Sequence, residues 1–226
     1  MKKQTRSEYI LHELGHHLPY TIFGVTMGLM LMGIFTFFAV LMRAEDMLPQ
    51  AAREFFHVSH ASHILFSSVT TTAMFWKHEK RMGKAILVGF LGSIGVCGLS
   101  DAIFPYLGGR FLLNGHMAIH ICIIEHPGII IPFAILGVVA GFVVPDVIEK
   151  STEYSHSGHV LFSSLSAILY LTAFGVQDWI HSLGGVFLIS VIAVIFPCCL
   201  SGIVFPLFCV HRGCAHNDSA SESRLK

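Results

Sequence analysis

A block of ten residues is written twice in this chain. Ser59-His60-Ala61-Ser62-His63-Ile64-Leu65-Phe66-Ser67-Ser68 returns as Ser155-His156-Ser157-Gly158-His159-Val160-Leu161-Phe162-Ser163-Ser164. Downstream of each copy, Cys97-Gly98-Leu99-Ser100 with Phe104-Pro105 returns as Cys198-Cys199-Leu200-Ser201 with Phe205-Pro206. Upstream, Gly15, Pro19, Gly24 and Gly28 find counterparts in Gly128, Pro132, Gly137 and Gly141. The three sets keep their order and change only in their connecting lengths. Equivalent sequences bury equivalent faces, so the chain is expected to build one unit twice.

Each unit is filled by apolar segments. They run from Leu18 to about Met42, His60 to Trp76, Ala85 to Leu107, Pro127 to Val144, His159 to Val176 and Leu183 to Val210. A helix of roughly 20 residues crosses about 30 Å of hydrocarbon. Charged residues make up 12% of the chain, about half the share of a soluble domain, and mean hydropathy is +0.69. A soluble globular core is thereby excluded. The first segment is too long for a signal-peptide core and lacks a small-residue cleavage site, so it is expected to be retained. The second and fifth are short and Ser/Thr-rich, which suits helices surrounded by other helices.

Basic residues orient the spans. Placing both termini in the cytoplasm leaves only Arg43, Arg53 and Arg110 outside. Three spans per unit is an odd number, so the second unit enters from the opposite side of the membrane. The expected fold class is an all-α polytopic membrane protein with six transmembrane helices as two inverted three-helix repeats. It forms a single membrane domain, with repeat 1 at about residues 10–109 and repeat 2 at about 116–211. Residues 212–226 form a flexible cytoplasmic tail. The localisation is a cytoplasmic or plasma membrane. A net charge of zero offers nothing to nucleic acid.

The fifteen histidines outnumber the fourteen Lys and Arg residues, and their placement follows the repeat. His57, His60 and His63 are spaced to share a helix face, and Glu153, His156 and His159 stand at the equivalent places. Exchange of His for Glu at one position preserves metal ligation, because imidazole nitrogen and carboxylate oxygen both bind borderline divalent ions. His12-Glu13 aligns with Glu125-His126, the same two ligand types in reversed order, while His16 extends the first copy. His116 and His120 lie one helical turn apart just before Glu125. Mid-span, Cys97 and Asp101 are expected to face Cys198. An ionisable Asp at that depth marks a pathway or a partnered site. Cys122 and Cys209 read as small buried hydrophobes.

These patterns predict a membrane transporter rather than an enzyme. The expected cargo is a divalent transition-metal ion (zinc, manganese, iron, cobalt or nickel), carried along a His/Glu/Asp/Cys-lined path at the repeat interface. The expected ligands are His12, Glu13, His16, His57, His60, His63, Cys97, Asp101, His116, His120, Glu125, His126, Glu153, His156, His159 and Cys198. His60 and His63 would form an outer group and His156 and His159 an inner one, with Asp101, Cys97 and Cys198 between. Histidine titration could couple the flux to protons. The implied partners are the lipid bilayer and the metal, with a homo-oligomer an open option.

Two other chemistries fit parts of the chain. His12-Glu13-Leu14-Gly15-His16, next to an apolar run, resembles the zinc motif of the site-2 family of intramembrane proteases. That resemblance implies His12 and His16 as zinc ligands and Glu13 as catalytic base. Paired histidines at similar depth on facing helices would instead suit bis-His haem.

Overall fold

The computed structural model describes residues 6–113, 116–147, 151–176, 178–199, 201 and 205–209. Among them there are helices and no strands. The order is α1 (Arg6–Leu41), a 3₁₀ turn at Glu45–Met47, α2 (Leu48–His78), α3 (Met82–Phe90) and α4 (Leu99–Phe111). Then come α5 (Cys122–Glu125), α6 (Pro127–Val147), α7 (Ser151–Phe174), α8 (Leu183–Cys199) and α9 (Phe205–Cys209). Proline opens both α2 and α6, where its missing N–H costs nothing and its fixed φ favours a first turn.

Three helices are long and apolar enough to cross a membrane: His17–Leu41, Met82–Phe111 and Ser157–Phe174. Shorter apolar stretches cover Pro127–Val143 and Leu183–Pro197. The outer helix α1 exposes Phe23, Met30, Phe37, Phe38 and Leu41. α2 reverses that pattern, burying Ser59, His60, His63, Ser67, Ser68, Thr70, Thr71 and Thr72. Apolar outside and polar inside is the arrangement hydrocarbon favours. Some of the buried hydroxyls offset desolvation by bonding back to carbonyls one turn earlier, as Thr70 does to Phe66 and, on the later helix, Ser164 to Val160 and Thr172 to Ile168. Those of Ser67, Ser68 and Thr72 have no partner among the described residues.

α2 begins at Leu48, well before the expected His60, because its first turns pack an aromatic end against α7. Phe56 meets Tyr170 at 5.4 Å and Phe174 at 5.7 Å between ring centroids. Further along, Ser166 Oγ donates to Ser59 Oγ at 3.1 Å, and His63 faces His159 with ring centroids 4.6 Å apart. Partners therefore run in opposite senses, and α2 and α7 are antiparallel. The two His rings are the same position of the duplicated block, as are the stacked rings of Phe66 and Phe162, 5.5 Å apart.

The duplicated glycines pack in matching fashion. A Cβ at Gly24 of α1 would lie 2.9 Å from Ser164 Oγ of α7, and one at Gly28 2.7 Å from Ile168 Cδ1. A Cβ at Gly137 of α6 would lie 2.6 Å from Ser68 Cβ of α2, and one at Gly141 2.7 Å from Thr72 Cβ. Ser164 and Ile168 hold the block positions of Ser68 and Thr72. Each half thus lays its first helix on the second helix of the other half.

Between α3 and α4 the helix widens into π-type turns over Leu91–Gly98. Such turns rotate the register of everything that follows, and they recur at functional sites. Here they carry Cys97 and bring Asp101 to the same interior face. In the last expected span α8 reaches Cys199 and contains Pro197, which removes a backbone donor, and α9 covers Phe205–Cys209.

Candidate metal centre

α2 presents its histidines along one face. Steps of three residues raise the chain by about 4.5 Å each, so His57, His60 and His63 descend from the helix mouth into the bundle core. Around them gather three groups in which every residue offers a ligand atom within 4.8 Å of the others. The first is His57, His120 and His126; the second is His60, His63 and Asp101; the third is His63, Cys97 and His159. His63 belongs to two groups. It is the joint of the array.

At the mouth, His57 Nε2 and His120 Nε2 are 3.2 Å apart, and the His126 ring lies 4.6 Å from that of His57. His120 Nδ1 donates to Glu125 Oε2 at 2.9 Å, which turns its other nitrogen toward His57. Burial first, and then the neighbouring imidazoles of His126 and His120, hold His57 below the ordinary imidazole range. Burial does the same to His120 and outweighs the opposing pull of Glu125. Both rings are therefore neutral at neutral pH, the form that ligates a metal. Cys122 Sγ sits 3.4 Å from His120 Nε2, but burial pushes this thiol up to about 12. The mouth offers nitrogen and carboxylate, not thiolate.

These shifts predict a pH effect on folding. A His whose folded pKa lies below its unfolded value of about 6.5 takes up protons preferentially when unfolded. Its neutral burial supports the fold above about 6.5, and that support fades as pH falls through this value. Thermal midpoints in detergent are expected to drop between about pH 7 and pH 5, and less so in His57→Gln. Equal pH slopes in both proteins would contradict this account of the mouth.

In the core, Asp101 is fully buried and closely attended. His60 Nδ1 and His63 Nδ1 donate to its Oδ2 at 3.0 and 2.5 Å, and Ser163 Oγ donates to Oδ1 at 3.1 Å. With both Nδ1 protons directed at the carboxylate, each imidazole carries its lone pair on Nε2. That is the arrangement by which a carboxylate orients a metal-binding histidine. Beyond His63, Cys97 Sγ lies 3.5 Å from His159 Nε2 and 2.7 Å from Ser201 Oγ. Thr71 Oγ1 donates to the Ser201 carbonyl at 3.2 Å, tying α2 to the segment between α8 and α9. His63, Cys97, Asp101 and His159 each have relative exposure of 0%. A cation here would meet no bulk water, so the protein itself must supply its ligands and its counter-charge.

The placement differs from the sequence expectation in two respects, the first being that residues 116–121 are not helical, so His116 and His120 share no helix face. Second, His63 and His159 were expected in separate groups, outer and inner. The antiparallel crossing of α2 and α7 at their own duplicated blocks puts the two rings in contact instead. His116 stands apart from the trio, exposed, in the wall of a cavity of about 590 Å³ with Arg53, Phe174 and Asp178. Phe174 separates that cavity from the trio, since its ring stacks on His120 at 4.7 Å and lies under the Arg53 guanidinium at 5.1 Å. The side chains of His12, Glu13, His16, Glu153, His156 and Cys198 lie outside the described residues, and with them the protease motif.

Ser163 and Ser201 were not singled out as site residues, although both lie in duplicated segments. Ser67, the block counterpart of Ser163, has a buried hydroxyl with no hydrogen-bond partner among the described residues. The place equivalent to Asp101 in the other half is Gly202, so the carboxylate was supplied once and its serine partner twice. No protein family, curated protein or solved structure matches the chain.

Proposed function

We propose that the protein crosses the membrane six times as two inverted three-helix repeats and moves a divalent transition-metal ion along the face of α2. The observation that carries the reading is the sharing of His63 between two donor groups. The site of His60, His63 and Asp101 has His63 in common with the site of Cys97 and His159, so an ion passing between them stays beside the same imidazole. The His57 trio lies one step nearer the mouth. Consecutive sites with common ligands let an ion advance by exchanging one ligand at a time, which avoids a bare ion in low dielectric. A site built solely to hold a structural metal has no use for such a sequence.

The architecture supports the same reading. The self-pairing of His63 with His159 and of Phe66 with Phe162 is what a two-fold axis crossing two antiparallel helices produces. So is the exchange of first helices, Gly24 and Gly28 on α7 and Gly137 and Gly141 on α6. An axis of that kind in the membrane plane relates inverted repeats and passes through midplane substrate sites. Rocking one repeat against the other would open the His63–His159 contact alternately to either side. With both termini cytoplasmic, the His57 trio and the cavity bounded by Arg53 and Phe174 face outward.

The test is metal flux into proteoliposomes loaded with a chelating fluorophore. Wild-type protein is expected to carry at least one of zinc, manganese, iron(II), cobalt and nickel above protein-free vesicles. His57→Ala is expected to slow entry while preserving occupancy of the core. Absence of flux for all five ions in both membrane orientations would refute transport.

A further inference from the structure

Resting on the metal-site reading above, we infer that the core takes its ion as a two-nitrogen, one-thiolate complex of His63, His159 and Cys97, and that this donor set selects zinc-like ions over manganese and iron(II). Asp101 acts in it as a positioning residue and counter-charge rather than as a ligand.

Geometry is the first ground. Zinc bonds of about 2.3 Å to sulfur and 2.0–2.1 Å to nitrogen, at a tetrahedral angle, separate the two donor atoms by about 3.5 Å. Cys97 Sγ and His159 Nε2 are 3.5 Å apart. The pair is already spaced as one edge of a tetrahedron, and His63 supplies a third donor within the same group. Three protein ligands leave a fourth position open, as a site that must release its ion requires.

Charge is the second ground. A divalent ion among fully buried residues needs two negative charges nearby. The Cys97 thiolate gives one and Asp101 the other, so the occupied centre is neutral. On binding, the thiol proton leaves with water or a buffer base, and the S–H bond is replaced by a sulfur–metal bond. Ser201 Oγ, 2.7 Å from Sγ, can donate its proton to the thiolate and keep it in place.

The third ground is the state of the carboxylate. Both oxygens of Asp101 are engaged, Oδ2 by two imidazoles and Oδ1 by Ser163. An ion on Asp101 itself, as in the neighbouring His60, His63 and Asp101 group, displaces some of those contacts, and they re-form once it has passed to Cys97 and His159. Left in place, Asp101 fixes the His63 ring and raises its basicity. Thiolate favours zinc and its neighbours in the affinity series, whereas manganese prefers oxygen and stands at the weak end. The mouth trio lacks thiolate, so the discrimination resides in the core.

Cobalt(II) reports the complex directly, because thiolate ligation gives an intense near-ultraviolet charge-transfer band. Titration of the detergent-solubilised full chain under anaerobic conditions is expected to produce that band, with visible absorption of tetrahedral intensity. Zinc should abolish it at one equivalent, and a large excess of manganese should not. Cys97→Ser is expected to lose the band, whereas Cys209→Ser keeps it. Asp101→Asn should retain the band position while weakening cobalt about 10- to 100-fold, the usual effect of removing a carboxylate behind a ligating His. Asp101→Glu should recover part of the loss. Should Cys97→Ser fail to fold, His159→Ala gives the second reading, a band shifted and weakened but present. No band in wild-type protein, a band unchanged in Cys97→Ser, or displacement by manganese as readily as by zinc would each overturn the assignment. The two readings fail separately. Flux without the band leaves transport standing and removes the thiolate site; the band without flux does the reverse.

Discussion

His63→Ala is expected to reduce metal flux to the level of protein-free vesicles and to empty the core site. The prediction follows from the residue's double membership. Among the described residues every other ligand serves one donor group, but His63 serves the group with His60 and Asp101 and the group with Cys97 and His159. Its loss breaks the sequence of sites at the joint rather than at an end. Residues behind a ligand contribute about 10- to 100-fold to metal affinity, so removal of the ligand itself should cost more than about 100-fold. The fold should survive, because Asp101 retains His60 and Ser163 and the vacated volume is polar enough to admit water. Metal content and flux measured on the same preparation check the claim. Flux comparable to wild type, with a correctly folded variant, would exclude His63 from the path.

The second large effect concerns the scaffold. Gly137→Leu is expected to destabilise the protein strongly and to lose the metal site along with the fold. A Cβ at Gly137 would strike the Leu65 carbonyl oxygen and approach Ser68 Cβ to 2.6 Å. The first obstacle is helix backbone, which cannot rotate away, so α6 must retreat from α2. Overpacking of this kind costs about 1–3 kcal/mol and more when backbone must shift. The thermal midpoint should fall by about 2–4 °C for each kcal/mol lost. Gly24→Leu, its repeat counterpart, should do less damage, since the atom it meets first is a serine hydroxyl at 2.9 Å. Gly33→Leu, with no atom within 4 Å of the added Cβ, should leave the midpoint unchanged. Midpoints that do not separate Gly137→Leu from Gly33→Leu would contradict the close packing of α6 on α2.

How much was legible in the residues can be judged position by position. Helices and an apolar exterior follow from hydropathy, and that part needs no tertiary information. The polarity of α2 was equally visible, as was its consequence that other helices must cover it. The duplicated Ser-His block and Cys97 stood out, but His60 and His63 were read as an outer group apart from Asp101, whereas both imidazoles bond to its carboxylate. What could not be read was which histidine meets which. His57 meets His120 and His126 across more than sixty positions of chain, and no spacing rule relates residues on separate elements. Ser163 and Ser201 were equally invisible as partners, because a serine that returns a bond to its own helix and one that serves a carboxylate look alike in sequence.

The amino-acid sequence by itself therefore determined the solvent, the helices and the duplication, since these depend on local composition and on periods along one chain. Tertiary structure alone decided that the two copies of the block face each other. Gly24, Gly28, Gly137 and Gly141 allow α1 and α6 to close on the opposite half, and that closure drives α2 and α7 together in antiparallel register. At their crossing His63 comes to His159, and the π-type turns at Leu91–Gly98 rotate Cys97 and Asp101 onto the same point. A repeat read along the chain is two separate motifs; in the fold their histidines meet at one point.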